Sequence, residues 1–148
     1  MGKRITFRGA LAPGLQDKIN IRQKDGKTGY KITRFEQIQA RPGTDSVELI
    51  GQIFTTDQTA AITSTIDFTD SDLLAINYYK ACASSSNPTT TQIIFDQEIV
   101  NQNLFVTIVD EAGGTQKGNY FIELEEVKLT DIQSTQLTLK SLRAIASR

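Results

Sequence analysis

Asn119-Tyr120-Phe121-Ile122-Glu123-Leu124-Glu125-Glu126 is the stretch on which the fold turns. Tyr120, Ile122 and Leu124 fall on one side of it, and Phe121, Glu123 and Glu125 on the other. Successive side chains of a β-strand point to opposite faces, so this period of two predicts a half-buried strand with an acidic outer face. The same alternation runs outward from it. Ile5 and Phe7 share a face, as do Ile19 and Ile21. Tyr30 and Ile32 open a run that continues through Phe35 and Ile38. The step from Ile32 to Phe35 breaks the period, which predicts a bulge or bend near Thr33-Arg34. Val47 and Leu49 lie opposite Ile50, Gln52 and Phe54, with a change of face near Gly51. Ile62, Ile66 and Phe68 follow, then residues 93–99, then Leu104, Val106 and Ile108.

Turn signals separate these runs: Ala12-Pro13-Gly14, Asp25-Gly26-Lys27, Arg41-Pro42-Gly43, residues 84–88 and Gly113-Gly114. Eight or nine short strands so punctuated predict an all-β chain, an antiparallel β-sandwich of jelly-roll-like form over residues 1–129. Residues 70–82 admit two readings. Ser71 could cap a helix with Lys80 in its last turn, or Leu74, Ile76 and Tyr78 could form one face of a strand; the strand is preferred. Beyond residue 130, Leu139, Leu142, Ile145 and Ala146 fall at helical spacing, with Lys140, Arg143 and Arg148 toward the end. Residues 130–148 are therefore expected to form a C-terminal helix or docking arm.

The chemistry that is missing narrows the function. The 148 residues contain no His and no Trp. Without His there is no Ser-His or Cys-His nucleophile pair and no common zinc ligand. Cys82 is the single cysteine, which excludes an internal disulfide framework, and it is expected to be an inert structural thiol. Paired carboxylates could act on glycosides, with Asp67, Asp70, Asp72, Asp96, Glu98 and Glu123 as candidates. Sugars need aromatic walls, and four Tyr without Trp supply few of them. The chain is expected not to be an enzyme and to need no cofactor. Asp67, Asp70 and Asp72 suggest a weak calcium site, but the EF-hand spacing is absent. Ending a strand and satisfying turn amides is the preferred account of them. No signal peptide and no apolar run of ~20 residues is present, so no membrane span is expected. Gly2 with Thr6 meets the bare count for myristoylation, but Lys3-Arg4-Ile5 reads as the start of a strand.

The charges are sorted along the chain. Residues 1–43 hold ten Lys/Arg and three acids, a net of +7; residues 44–126 hold thirteen acids and two Lys, a net of −11; residues 127–148 return to +3. Such asymmetry predicts a charged partner. The expected basic contacts are Lys3, Arg4, Arg8, Arg22, Lys24, Arg143 and Arg148. The expected acidic contacts are Asp67, Asp70, Asp72, Glu123, Glu125 and Glu126. Acidic protein surface, including that of a second copy, is preferred over nucleic acid, because the bases are spread through strands and Phe7, Tyr30 and Phe35 read as core.

The stretch Ile93-Ile94-Phe95-Asp96-Gln97-Glu98-Ile99-Val100-Asn101-Gln102-Asn103-Leu104-Phe105-Val106-Thr107-Ile108-Val109-Asp110, followed by residues 119–129, resembles small β-sandwich virion proteins of bacteriophages, especially marine ones. The resemblance runs from Thr55 onward and is one of texture and strand order. It implies a structural virion protein, a capsid component or a head decoration or cement, made in the host cytoplasm and residing in the virion. The implied partners are copies of itself and other virion proteins. Two alternatives stand beside it. One is a carbohydrate-binding module, for which Tyr78, Tyr79 and Tyr120 are the only aromatic donors. The other is a nucleic-acid-associated capsid subunit.

Overall fold

The computed structural model describes residues 3–21, 27–82, 88–95, 98–130, 136, 137 and 139. Eight strands lie among them: β1 (Arg4–Leu11), β2 (Leu15–Ile19), β3 (Thr28–Gln39), β4 (Val47–Phe54), β5 (Leu73–Ala81), β6 (Thr89–Ile94), β7 (Leu104–Asp110) and β8 (Gly118–Lys128). They form two antiparallel sheets, β1-β8-β3 and β2-β7-β4-β5-β6. A two-sheet jelly roll is an antiparallel ribbon wrapped on itself, with β1 on β8, β2 on β7, β3 on β6 and β4 on β5. Three of those four pairings are present. The fourth is not, because β6 pairs with β5 instead. Strands β7-β4-β5-β6 thereby form a Greek key. Where β6 would have paired with β3, a side chain substitutes: Gln92 Oε1 accepts from the Phe35 N–H at 2.8 Å. Further along β3, Tyr30 and Val100 exchange backbone hydrogen bonds of 2.6 and 2.8 Å.

The core lies between the sheets. Phe35, Leu49, Ile53, Leu104, Ile108, Ile122 and Leu124 are fully buried there. Each such side chain contributes about 1.5–3 kcal/mol by leaving water. Ile5 and Phe7 of β1 pack on its margin. Gly14, Gly43 and Gly113 adopt the left-handed conformation at three of the expected turns. The expected bulge is present: the β3–β8 register shifts between Ile32 and Arg34. Its consequence is a change of parity. Phe35, Gln37 and Gln39 turn inward, and Ile38, expected to continue the apolar face, is 47% exposed. Gln37 holds its core place by donating from Nε2 to the carbonyls of Leu49 (3.0 Å) and Asn77 (2.6 Å) on the opposite sheet.

Residues 70–82 resolve as turn and strand. The β4–β5 register slips between Ile53 and Phe54, leaving Leu74 unpaired. Leu74 therefore joins the inter-sheet core instead of sharing a face with Ile76. Ile62, Ile66 and Phe68 belong to no strand; they lie in a long connection, residues 55–72, that lies over the outside of the five-stranded sheet. Gln16 Nε2 donates to Asp57 Oδ1 at 2.6 Å and Gln52 Nε2 to the Thr65 carbonyl at 3.2 Å, so the edge strand β2 and the central strand β4 hold the connection down. Phe54, Leu73 and Ile76 form a second small apolar cluster on this side. Cys82 is exposed at the end of β5, which corrects its reading as a structural thiol. Gln136, Leu137 and Leu139 are helical; the rest of the expected C-terminal helix lies outside the described residues. No helix among the described residues is long and apolar enough to cross a membrane.

Tyr120 links the two sheets, its hydroxyl donating to Asp17 Oδ2 at 2.8 Å. Burial, then the bond to Asp17, pushes its phenol well above the ordinary tyrosine value. Burial also raises Tyr79, and the bond donated to Glu48 raises Tyr78. A phenol raised in the folded state leaves stability intact below about pH 10, its unfolded value, and removes it as pH climbs further. Thermal melting between pH 8 and 11 should fall steeply above 10, and Tyr120→Phe should flatten that fall.

Candidate functional site

The charges that the sequence separates are brought together by the three-stranded sheet. Strands β1 and β3 come from the basic third, and β8, from the acidic stretch, lies between them. Register sets Glu125 between Arg4 and Lys31, Glu123 between Thr6 and Arg34, Phe121 between Arg8 and Glu36, and Asn119 between Ala10 and Ile38. Cross-strand neighbours of opposite charge stabilise a sheet. The strongest such contact is at Glu123. Arg4 Nη1 donates to its Oε1 at 2.6 Å. Thr33 Oγ1, aimed there by the bulge, lies 3.1 Å from both the Glu123 carbonyl and Oε1. Arg34 Nη1 approaches Oε2 at 3.9 Å.

Glu123 is only 8% exposed. The sequence reading of a solvated acid, or one reserved for a neighbour's basic surface, is corrected to a carboxylate neutralised within its own sheet. Arg4→Ala should leave this carboxylate short of its charged donor. Arg4 is itself half exposed and solvent-screened, so the expected loss is about 1 kcal/mol. Urea unfolding should show a lowered midpoint at unchanged slope, and ~1 M salt should narrow the gap from wild type.

Beyond Glu123 the outer face opens into a groove of about 690 Å³. Arg8, Glu36, Ile38, Asn119 and Phe121 line it, and it continues over the β3 edge to Tyr79 and Thr90. The Arg34 guanidinium sits 5.2 Å from the Phe121 ring centroid. Arg8 has no partner among the described residues. Sequence reasoning found Arg8 and missed Glu36, Ile38 and Asn119. The parity of β3 after its bulge was the signal that could have found the first two.

The other expected contacts are dispersed. Lys3 is exposed, and its carbonyl accepts from the Glu126 N–H at 2.7 Å. Glu125 and Glu126 are half-buried. Arg22, Lys24, Arg143 and Arg148 lie outside the described residues. Asp67, Asp70 and Asp72 lie in the turns before β5. Asp67 Oδ1 accepts from the N–H and hydroxyl of Thr69, which holds its carboxyl below the usual range. Asp70 Oδ1 accepts from the Asp72 N–H, and the Asp72 oxygens accept from the Thr55 and Thr56 hydroxyls. These acids serve turns, and no group of three acids, Cys or His suited to a metal occurs among the described residues. Tyr79 and Tyr120 are buried rather than offered as stacking platforms. Compared with protein-family models, curated proteins and solved structures, the chain matches none.

Proposed function

We propose that this chain is a structural subunit of a virion, a capsid component or a head decoration or cement protein. It works by assembly with copies of itself and with other virion proteins. The observation that carries the reading is the wrapped strand order, three of whose pairings are those of the jelly roll used by viral capsid and lectin domains. A fold does not by itself specify a function, and two further features support the reading. The resemblance in residues 93–110 and 119–129 points the same way. Exposed Leu15, Ile38 and Phe68 offer apolar contact points on a face-charged surface. Because the Glu123 charge is satisfied internally, association rests less on salt-sensitive pairing than charge sorting alone implies.

Light scattering at ~0.05 M and ~1 M salt tests this, since screening changes strongly across that range. A defined oligomer that weakens but persists at high salt is the expected result. A monomer at both salts and at every concentration overturns self-assembly. The groove favours one second reading, a glycan-binding module, because Arg8, Glu36 and Asn119 offer donors and acceptors beside Phe121. Saturable binding on a glycan array, lost in Arg8→Ala, would select it over assembly.

A further inference from the structure

An edge strand leaves one row of backbone N–H and C=O groups without a strand partner, and such a row invites pairing unless charge, shortness or cover guards it. Strands β1, β3, β2 and β6 are the edges of the two sheets. Three are guarded. β1 carries Arg4 and Arg8, and β2 runs for five residues with Asp17 and Lys18 among them. β3 carries Lys31, Arg34 and Glu36, and its edge is met by Val100 at Tyr30 and by the Gln92 and Asn77 side chains at Phe35. β6 has no such guard. It reads Thr-Thr-Thr-Gln-Ile-Ile, without a charge or a proline, and Thr89 to Gln92 are exposed.

The ladder fixes which groups of β6 are open. The Phe95 N–H donates to the Leu74 carbonyl at 3.0 Å, in register with the β5–β6 pairing. Bonded and non-bonded pairs alternate along an antiparallel ladder. Thr89, Thr91 and Ile93 therefore turn their backbone groups to β5, and Thr90, Gln92 and Ile94 turn theirs outward. No hydrogen bond among the described residues reaches those outward groups. An extended strand matches them, and a second β6 brings no like charge to repel the first. Phe68, 55% exposed against Phe95 just past the end of β6, adds apolar surface beside the same edge. We infer that β6 pairs antiparallel with β6 of a second copy across a two-fold axis, joining two five-stranded sheets into one. The register that uses every outward group sets Gln92 opposite the partner's Gln92 and Thr90 opposite the partner's Ile94. Sliding the pair toward Thr91 would set Pro88, which has no N–H, opposite Ile94. The same patch serves both copies, so the contact closes at a dimer. This inference rests on the assembly reading above and names its contact.

Thr90→Pro tests it. The substitution removes an N–H that β5 does not use, so β6 keeps its place, as circular dichroism checks. Self-association by light scattering should fall about tenfold or more, because symmetry removes the bond twice. Thr90→Val keeps the N–H and should associate like wild type. Hydrogen exchange adds a residue-level reading: the Thr90, Gln92 and Ile94 amides should exchange fast in dilute monomer and become protected as concentration rises. If wild type associates but neither Thr90→Pro nor concentration changes anything at this edge, the inference falls and the assembly reading stands. If these amides are protected in the dilute monomer, the chain covers its own edge and the inference falls. Should Thr90→Pro unfold, Thr91→Lys and Thr91→Glu replace it, since Thr91 is exposed and lies diagonally across the axis from the partner's Thr91. Each alone should then weaken association and mixing should restore it; no restoration overturns the pairing. If wild type is monomeric throughout, the inference and the assembly reading fall together.

Discussion

Phe35→Ala should lower the unfolding free energy by about 3–5 kcal/mol, the range for emptying a buried aromatic site. Phe35 is 0% exposed and sits where the two sheets approach each other. The ring lies within reach of Gly51 on β4, its N–H donates to Gln92, and its carbonyl accepts from Asn77 Nδ2 at 3.0 Å. Truncation leaves a cavity among groups already fixed by hydrogen bonds, so collapse can refill little of it. Domains of this size have about 5–15 kcal/mol in total, so about a fifth or more of the stability would go. Chemical denaturation reads this directly. Ile38→Ala is the matched control, since Ile38 is exposed on the same strand; it should change stability by no more than about 0.5 kcal/mol. Equal losses at the two positions would contradict the parity that the bulge imposes.

Gly51→Ala should destabilise by about 1–3 kcal/mol, the usual range for overpacking. A Cβ there would stand 2.9 Å from Phe35 Cζ and 3.0 Å from Gln37 Oε1. Neither neighbour gives way cheaply. The ring is fully buried, and Gln37 is held by its two bonds to carbonyls across the core. Alanine also restricts the unfolded chain, a gain of about 0.4–1 kcal/mol that offsets part of the strain. The diagnostic measurement is a double-mutant cycle. In a Phe35→Leu background the shorter side chain vacates the contact, so Gly51→Ala should cost at least ~0.5 kcal/mol less there. An identical cost in both backgrounds would show that the contact with Phe35 does not set it.

Period-two alternation made the strands legible, because it reports directly on pleated geometry. It placed β1, β3, β7 and β8, and its interruption between Ile32 and Phe35 located the bulge. It failed where polar residues occupy apolar slots. Gln37 is buried by bonds to backbone of the opposite sheet, distant in sequence, and Gln39 by bonds to the Arg41 and Asp45 carbonyls of the turn that follows it, neither of which period-two alternation reports. It also failed where a loop covers a sheet's outer face. There β4 is buried on both sides, and Ile66 and Phe68 imitate a strand while forming none. The charge sorting was real, but its meaning depended on pairing. Only the β1-β8-β3 order reveals that Arg4 meets Glu123 within one sheet. The groove beside Arg8 was hidden for the same reason, since its walls come from five strands distant in sequence.

The pairing of β1 with β8 also governs how the protein is made. Of the eight strands β1, Arg4 to Leu11, is translated before the others, yet its partners, Glu125 to Gly118, are nearly the last of the sandwich to be translated. At roughly 5–20 residues per second, the nascent β1 waits on the order of 5–20 s without its partner strand. An unpaired strand of that length is a template for wrong pairing with other chains. Lys3, Arg4 and Arg8 put like charges along it and discourage two nascent copies from zipping together. The basic charges along β1 thus guard it during synthesis before Arg4 meets Glu123.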